Sequence, residues 1–485
     1  MVKKILIAVV CLVMVTAVLV ACSEGFKWGS VTTSIAQNAE IEGNGGLAVR
    51  VGGYLYFING YAGNDADNTS GNVIKGAICR VKINEAGVID DSKIETIVHK
   101  NVFHKSSEQG IQISGGYIYY TTPSVDKDKN GNLRINEAVL MRTKLNGSDT
   151  EEIKVFKDDF QTTFKVIGNR LIYADGSRLR EINLSAKGFP ERTVDSDVSN
   201  ITIPKFEEKY ALNAPHALAD TIFYTKQTTE KNATNNEIWA YRASTGVKKC
   251  VVKGNKDSYG EFLFTEDTSL TFQLVETVFL SGGKICLVYT REDAGTFKST
   301  RATFSFTFDD KFEFDAEKEE QYTLNDKAFT NFHFLSDNYA IVSESGTIRL
   351  IKKGAEIWEE IKLPETSGII PSSAFATIIK IDAGETESGK VIIDYLSSDK
   401  VFRLHVLNID GEDFAPVYNQ TREIFTGSVF TNWLKMQRIG NNYYFFNRNL
   451  LNYAYYATPN TDSELAKPKL LSKIDPADWE AVLNA

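Results

Sequence analysis

One two-part phrase recurs along this chain and restricts its fold more than any other feature. The clearest copy runs from Gly115 to Gly147. An alternating aromatic stretch, 117–122, is followed by an Asp/Asn/Gly loop at 126–137, a second alternating stretch at 139–145 and a turn at Asn146-Gly147. Alternation of apolar and polar residues is the period of a half-buried strand. The first part returns, in looser form, at 51–57, 168–173, 219–224, 282–287, 336–341, 389–393 and 440–446. The second part is a strand that often carries a basic residue: Arg80, Arg142, Arg180, Arg242, Arg349 and Arg403 mark six copies. At 409–411, Ile-Asp-Gly reads as a hairpin turn.

The eight units start about 45 to 65 residues apart. Each is a small antiparallel sheet that cannot bury both faces alone, and stacking such sheets around an axis leaves only short, protected edges. The expected fold class is therefore all-β, a β-propeller of seven or eight blades, with an N-terminal signal segment and a short C-terminal helix. A pair of β-sandwiches would also account for the strand density, but not for the eightfold phrase. With 21 Tyr and 29 Phe, composition leans towards strands, and only 10 Pro argue against long linkers between separate domains. The expected division is 1–21 signal peptide, 22–44 lipidated cysteine and tether, 45–472 propeller and 473–485 helix.

The N-terminus has a second sharp feature. Lys3 and Lys4 precede an apolar run, 5–20, that ends in Leu19-Val20-Ala21-Cys22. A short apolar run closed by small residues is a secretory signal, and too short for a spanning helix. The cysteine directly after Ala21 resembles the bacterial lipobox, which implies cleavage before a diacylated Cys22. The alternatives are an ordinary signal peptide with a chance cysteine, or an uncleaved anchor helix. Acyl chains contribute about 0.8 kcal/mol per buried CH₂, so two or three hold a protein stably at a bilayer. The expected location is the cell membrane, lipid-anchored, on the extracytoplasmic face. Removing the signal takes the net charge from −9 to −11 with its two lysines. An acidic chain without a basic stripe has no footprint for nucleic acid.

At the other end, Asp475-Pro476 reads as an N-cap followed by Pro in the first turn. Trp479 and Leu483 would share one face of that helix, available to pack on a propeller rim. Cys79, Cys250 and Cys286 are an odd set spread over distant units and read as small core residues.

The recurring Gly-Gly-Tyr-aromatic-Tyr strand, followed by Leu-x-Arg-x-x-Leu-x-Gly, resembles the bacterial DUF5050 domain. That family is a propeller group related to the repeats of low-density-lipoprotein-receptor-related proteins. The copies at 52–84 and 115–147 carry the resemblance. The receptor relatives have Tyr-Trp-Thr-Asp where this chain has Tyr119-Tyr120-Thr121-Thr122. The resemblance implies a propeller fold and a binding role, with no assigned chemistry.

The candidate for metal chemistry is the loop from Asp126 to Glu137, which fits the calcium-loop spacing D-x-[DN]-x-[DN]-G-x₅-E. Calcium takes six to eight oxygens. Asp126, Asp128 and Asn130 would supply side-chain oxygens, Asn132 a backbone carbonyl, Glu137 two carboxylate oxygens, and Gly131 the sharp turn. The flanks are strands, so a structural calcium would sit on a blade hairpin. A plain solvated hairpin explains the same residues. The acidic loop 64–71 occupies the same place in the preceding unit without the closing Glu.

Catalytic patterns are absent. Five histidines stand apart, no serine lies in a G-x-S-x-G elbow, and no H-E-x-x-H or zinc-spaced Cys/His cluster occurs. The expectation is a binding or scaffold module for a protein, peptide or glycan, and not an enzyme. The alternative is a propeller enzyme on envelope or extracellular glycans, with carboxylates around the central channel.

Overall fold

Each copy of the phrase becomes the middle of an antiparallel sheet. In the computed structural model, residues 41–60, 73–102, most of 110–157, 164–202 and, beyond Thr221, chiefly the strands together with 469–480 are described. The expected signal segment, Cys22 and the tether lie outside these residues. The eight aromatic or aliphatic stretches are the second strands of eight sheets, among them Tyr54–Ile58, Tyr117–Pro123, Arg170–Asp175, Thr221–Glu230 and Asn442–Asn447. The basic stretches are third strands, such as Ile78–Ile83, Ala138–Lys144 and Arg178–Asn183.

The described strands form eight consecutive meanders, here blades 1 to 8: 41–98, 112–156, 164–196, 198–252, 270–321, 332–361, 378–423 and 436–470. Seven have four strands. Blade 1 has a fifth, Ile41–Glu42, added to the axis-side edge of its inner strand Ala48–Val51. A two-stranded ribbon, Thr323–Leu324 with Lys327–Ala328, follows blade 5. First strands of adjacent blades touch: Ala48–Val51 meets Met436–Ile439, and Gln112–Ser114 meets Phe164–Ile167. They are therefore the inner strands around an axis.

Both faces of the well-described blades are buried, which a sandwich sheet with one solvated face would not show. From blade 2, Ile118 and Tyr120 pack on the Leu55–Phe57–Val81 cluster of blade 1, whereas Tyr119 and Leu140 join Phe164, Leu171 and Tyr173 of blade 3. From blade 3, Ile172 and Leu179 meet Ile222, Tyr224 and Tyr241 of blade 4. Each fully buried side chain of this size contributes about 1.5–3 kcal/mol relative to exposure. The blade 1 cluster also includes Ile439, Tyr444, Phe446 and Tyr456 of blade 8. That contact closes the ring. Tyr444, Phe446 and Tyr456 thus serve as filling between blades.

The first-to-second turns set one end of the ring. They are Gly52-Gly53, Gly115-Gly116, Gly168-Asn169 and the turn at Gly440, and the φ angles of +54° to +81° at Gly52, Gly115, Gly116, Gly168 and Gly440 require glycine. The connections between blades, and those from second to third strand, lie at the opposite end. Counted along the sequence between described strands, in blades 1–3 these are 59–77, 99–111, 124–137, 157–163, 176–177 and 197.

At the C-terminus a 3₁₀ helix, Pro476–Asp478, starts at the expected Asp475 cap, whose carboxylate accepts from the Ala477 amide at 3.0 Å. Trp479, available to pack on the rim, is 50% exposed. Polar groups dock the segment: the Tyr453 hydroxyl donates to Asp478 Oδ2 at 2.7 Å, and the Asp475 amide donates to the Tyr453 hydroxyl at 3.0 Å. Leu483 lies outside the described residues.

Candidate functional site

The 126–137 loop joins the second and third strands of blade 2 and stands at the end of the ring opposite the glycine turns. Its donor set has the chemistry calcium prefers, and in this structure Asp128 and Glu137 are engaged by other groups of the loop itself. Asp128 Oδ1 accepts from the amides of Asn130 (2.8 Å) and Asn132 (2.9 Å). These bonds hold its carboxyl below the usual range, the Asn132 amide contributing most. The Asn132 carbonyl, a proposed ligand, accepts the Asp128 amide at 2.8 Å. Asp126, Asn130 and Asn132 are exposed. Glu137 is buried, and its Oε1 accepts from Arg134 Nη1 at 2.9 Å. Its Oε2 is buried with no hydrogen-bond partner. Among the described residues, no three His, Cys, Asp or Glu side chains gather closely enough to hold a metal ion. The structure thus brings Glu137 to Arg134 and not to Asp126 or Asp128. The related loop at 64–71 lies outside the described residues.

The basic residues of the third strands look outward in the sequence but are tied down in the fold. Arg80 Nε donates to Glu95 Oε2 on the fourth strand (2.8 Å), and Arg80 Nη1 to the Leu145 carbonyl of blade 2 (3.1 Å). Its guanidinium lies 4.8 Å from the Tyr54 ring centre. One blade on, Arg142 repeats the pattern: Nε to Glu151 Oε2 (2.7 Å), Nη1 to the Leu184 carbonyl of blade 3 (2.9 Å), over the Tyr117 ring at 4.4 Å. Arg180 binds Glu191 and Thr193 of its own blade, while Lys154 of blade 2 reaches Glu191 Oε2 at 2.6 Å. A planar guanidinium can serve a carboxylate and a carbonyl together, which suits it to stapling blade to blade.

Side-chain amides form a second set of joints that the sequence did not reveal. Asn44 brackets Ile113, accepting from its amide (2.7 Å) and donating to its carbonyl (3.0 Å). Gln112 donates to the Phe164 carbonyl and accepts from the Val166 amide. Asn59, fully buried, donates to the Lys473 carbonyl (2.7 Å) and accepts from the Lys473 amide (2.8 Å). Asn442 donates to the Gly87 carbonyl at 2.7 Å. The signal was an isolated Asn or Gln beside an apolar strand, where an amide can stand in for a missing ladder partner.

Perturbed ionisable groups cluster between blades. Asp195 accepts from the Tyr224 hydroxyl (2.7 Å) and Lys226 Nζ (2.8 Å); burial would raise its pKa, but these partners hold it low. Fully buried Glu181 meets Arg170, Arg192 and the Tyr241 hydroxyl. Burial pushes the Cys79 thiol up to about 12, which makes it inert. Cys79 and Cys250 form no disulfide. His405 lies in the third strand of blade 7, Val401–Asn408.

No family model and no curated protein matches the chain. Among solved structures it is similar to a chain from a study of two prolyl endopeptidases, with 14% identity over 76% of this chain and 50% of that one, and a TM-score of 0.39. It is also similar to the β-propeller domain of the Trilobed protease from Pyrococcus furiosus (9% identity, 75% of this chain, 95% of that one, TM-score 0.36). A third is dipeptidyl peptidase 4 from Porphyromonas gingivalis (10% identity, 93% and 62%, TM-score 0.44). The chain spans about half the length of the prolyl endopeptidase it matches. The expectation that the chain is not an enzyme is corrected by this set. The solved structures to which the chain is similar include peptidases. What the chain shares with these structures is the fold, an all-β propeller.

Proposed function

We propose that this chain is a lipoprotein of the DUF5050 type, held at the extracytoplasmic face of the cell membrane by acylated Cys22. Its propeller gathers a protein, peptide or glycan on the end of the ring that carries the blade connections. The observation that carries this reading is the asymmetry of the ring. In blades 1 and 2 the turns 52–53, 84–88, 115–116 and 145–150 at the glycine-turn end are shorter than the connections 59–77, 99–111, 124–137 and 157–163 at the opposite end. Loops on a rigid scaffold are where recognition residues concentrate. A structural calcium at the 126–137 loop belongs to the same proposal.

Two measurements test it. Mass spectrometry of protein made in a bacterium should show a diacylglyceryl group on Cys22 that is lost in Cys22→Ser; unmodified Cys22 in the wild type would overturn the anchor. Panels of envelope peptides and glycans should retain the detergent-solubilised full chain. Lys129→Glu and Asn130→Asp in the exposed loop should weaken that retention at unchanged Tm. Retention insensitive to every connection at that end would overturn the binding surface. The same panels, read for product, report turnover.

A further inference from the structure

The first described strand fixes where the chain enters the ring. Ile41 pairs with Val51 and Glu42 with Arg50, at the end of the inner strand Ala48–Val51 that runs directly into the Gly52-Gly53 turn. Arg50 Nη1 holds Glu42 Oε2 at 3.5 Å. The chain therefore arrives at the glycine-turn end, at the inner edge of blade 1. Neighbouring turns are joined at this end: Ser114 Oγ donates to the Gly168 carbonyl at 2.9 Å. The 84–88 turn of blade 1 belongs here too, since Asn442, just past the Gly440 turn of blade 8, donates to the Gly87 carbonyl. Beside it Val88 is 62% exposed, the most exposed large apolar side chain among the described residues.

We propose that the glycine-turn end of the ring is the membrane-facing surface, apposed to lipid headgroups, and that the opposite end points away from the bilayer. This rests on the Cys22 anchor proposed above. The 19 residues 22–40 span at most about 65 Å. To bring the other end to the bilayer, the same chain must first cross the ring, and a seven-residue strand such as Tyr117–Pro123 is about 23 Å long. Starting from the glycine-turn end it crosses nothing. The side that results is consistent with recognition on the long connections, which are then unobstructed by lipid.

The test uses the full-length acylated chain in vesicles of phosphatidylethanolamine and phosphatidylglycerol containing a headgroup-quencher lipid. Gly53→Cys marks the glycine-turn end; an added Cβ there meets only the Ile83 carbonyl at 3.9 Å, and Gly53 is exposed. Lys129→Cys marks the opposite end, where Lys129 is also exposed. Each carries an environment-sensitive fluorophore, with the unsubstituted protein as the labelling blank. The expected result is quenching at least two-fold greater at position 53 than at 129. Equal or reversed quenching overturns the orientation. Flotation with the vesicles, together with the mass of the N-terminal peptide, reports the anchor separately. A chain that floats with a diacylated Cys22 but shows reversed quenching fails on orientation alone, and a chain that does not float fails on the anchor.

Discussion

Arg80 in blade 1 donates from Nη1 to the main-chain carbonyl of Leu145 in blade 2, across 3.1 Å. The Tyr56 hydroxyl reaches the same carbonyl at 3.1 Å, and Glu95 steadies the guanidinium from the fourth strand. Hydrogen bonds that involve a charged group contribute about 1.5–3 kcal/mol each. Arg80→Met should lower stability by about 2 kcal/mol, and Arg80→Lys by nearly as much, because a lysine cannot serve Glu95 and Leu145 at once. Thermal melts of the two variants check this; a lysine variant as stable as the wild type would show that only the charge matters.

The phrase was legible because second strands such as Tyr54–Ile58 and Tyr117–Pro123 are buried on both faces and so demand aromatic and branched residues. The staples were not. Arg80 finds Glu95, Arg142 finds Glu151 and Arg180 finds Glu191, so the interval between the paired residues changes from blade to blade with the connecting turn. No fixed spacing marks the partner, and a basic residue on a half-buried strand reads as a solvated one. Inner strands were hidden for another reason. Gln112–Ser114 is three residues long and is held partly by side-chain amides, so it has no periodicity to detect. The 126–137 loop was legible as a loop and its spacing as calcium-like, but Arg134 sits inside the motif and takes Glu137. A pattern of oxygen donors cannot register that competitor.

Ring closure should depend on one amide. Asn59 and Lys473 are 414 positions apart and exchange two hydrogen bonds. Asn59→Ala removes both bonds to the exposed Lys473 main chain, where water can take over in part, at a cost of about 0.5–1.5 kcal/mol for each bond. The expected outcome is faster hydrogen exchange confined to the last blade and the 471–479 segment, with blades 2 and 3 protected as before. Asn59→Asp should behave the same way at neutral pH, having lost the donor. Uniform loss of protection around the ring would mean that the closure is not a local joint.

Acid should loosen the joint between blades 2 and 3. Burial alone would raise the Glu191 pKa, but Lys154, Tyr173 and Arg180 hold it below the ordinary value. A depressed folded-state pKa means stability that is fully present above the unfolded value, about 4.3 for Glu, and lost as pH falls through the folded one. Glu191→Gln keeps an acceptor for Tyr173 and removes the charge. Its Tm should be lower than wild type at pH 7, and the gap should close as pH falls below the unfolded value of about 4.3. Asp195, held low in the same manner, keeps part of the acid limb in the variant. Parallel curves over this range would exclude Glu191 as the titrating group.

Calcium at the 126–137 loop must displace a resident cation. Arg134 Nη1 occupies Glu137 Oε1 at 2.9 Å, and Arg134 Nε and Glu137 Oε2 are both buried without hydrogen-bond partners. A bidentate carboxylate is the closing ligand of this motif, so the ion has to win Glu137 from the guanidinium. Arg134→Gln removes the competitor and leaves every oxygen in place. The expected outcome is a larger rise in Tm on adding about 1–10 mM calcium, the range of weak extracellular sites, for Arg134→Gln than for the wild type. Asp128→Ala should abolish the response in both backgrounds. It should also lower Tm without calcium, since the Asn130 and Asn132 amides lose their acceptor. If neither the wild type nor Arg134→Gln responds over that range, the loop is a hairpin closed by its own hydrogen bonds, and its spacing owes nothing to a metal.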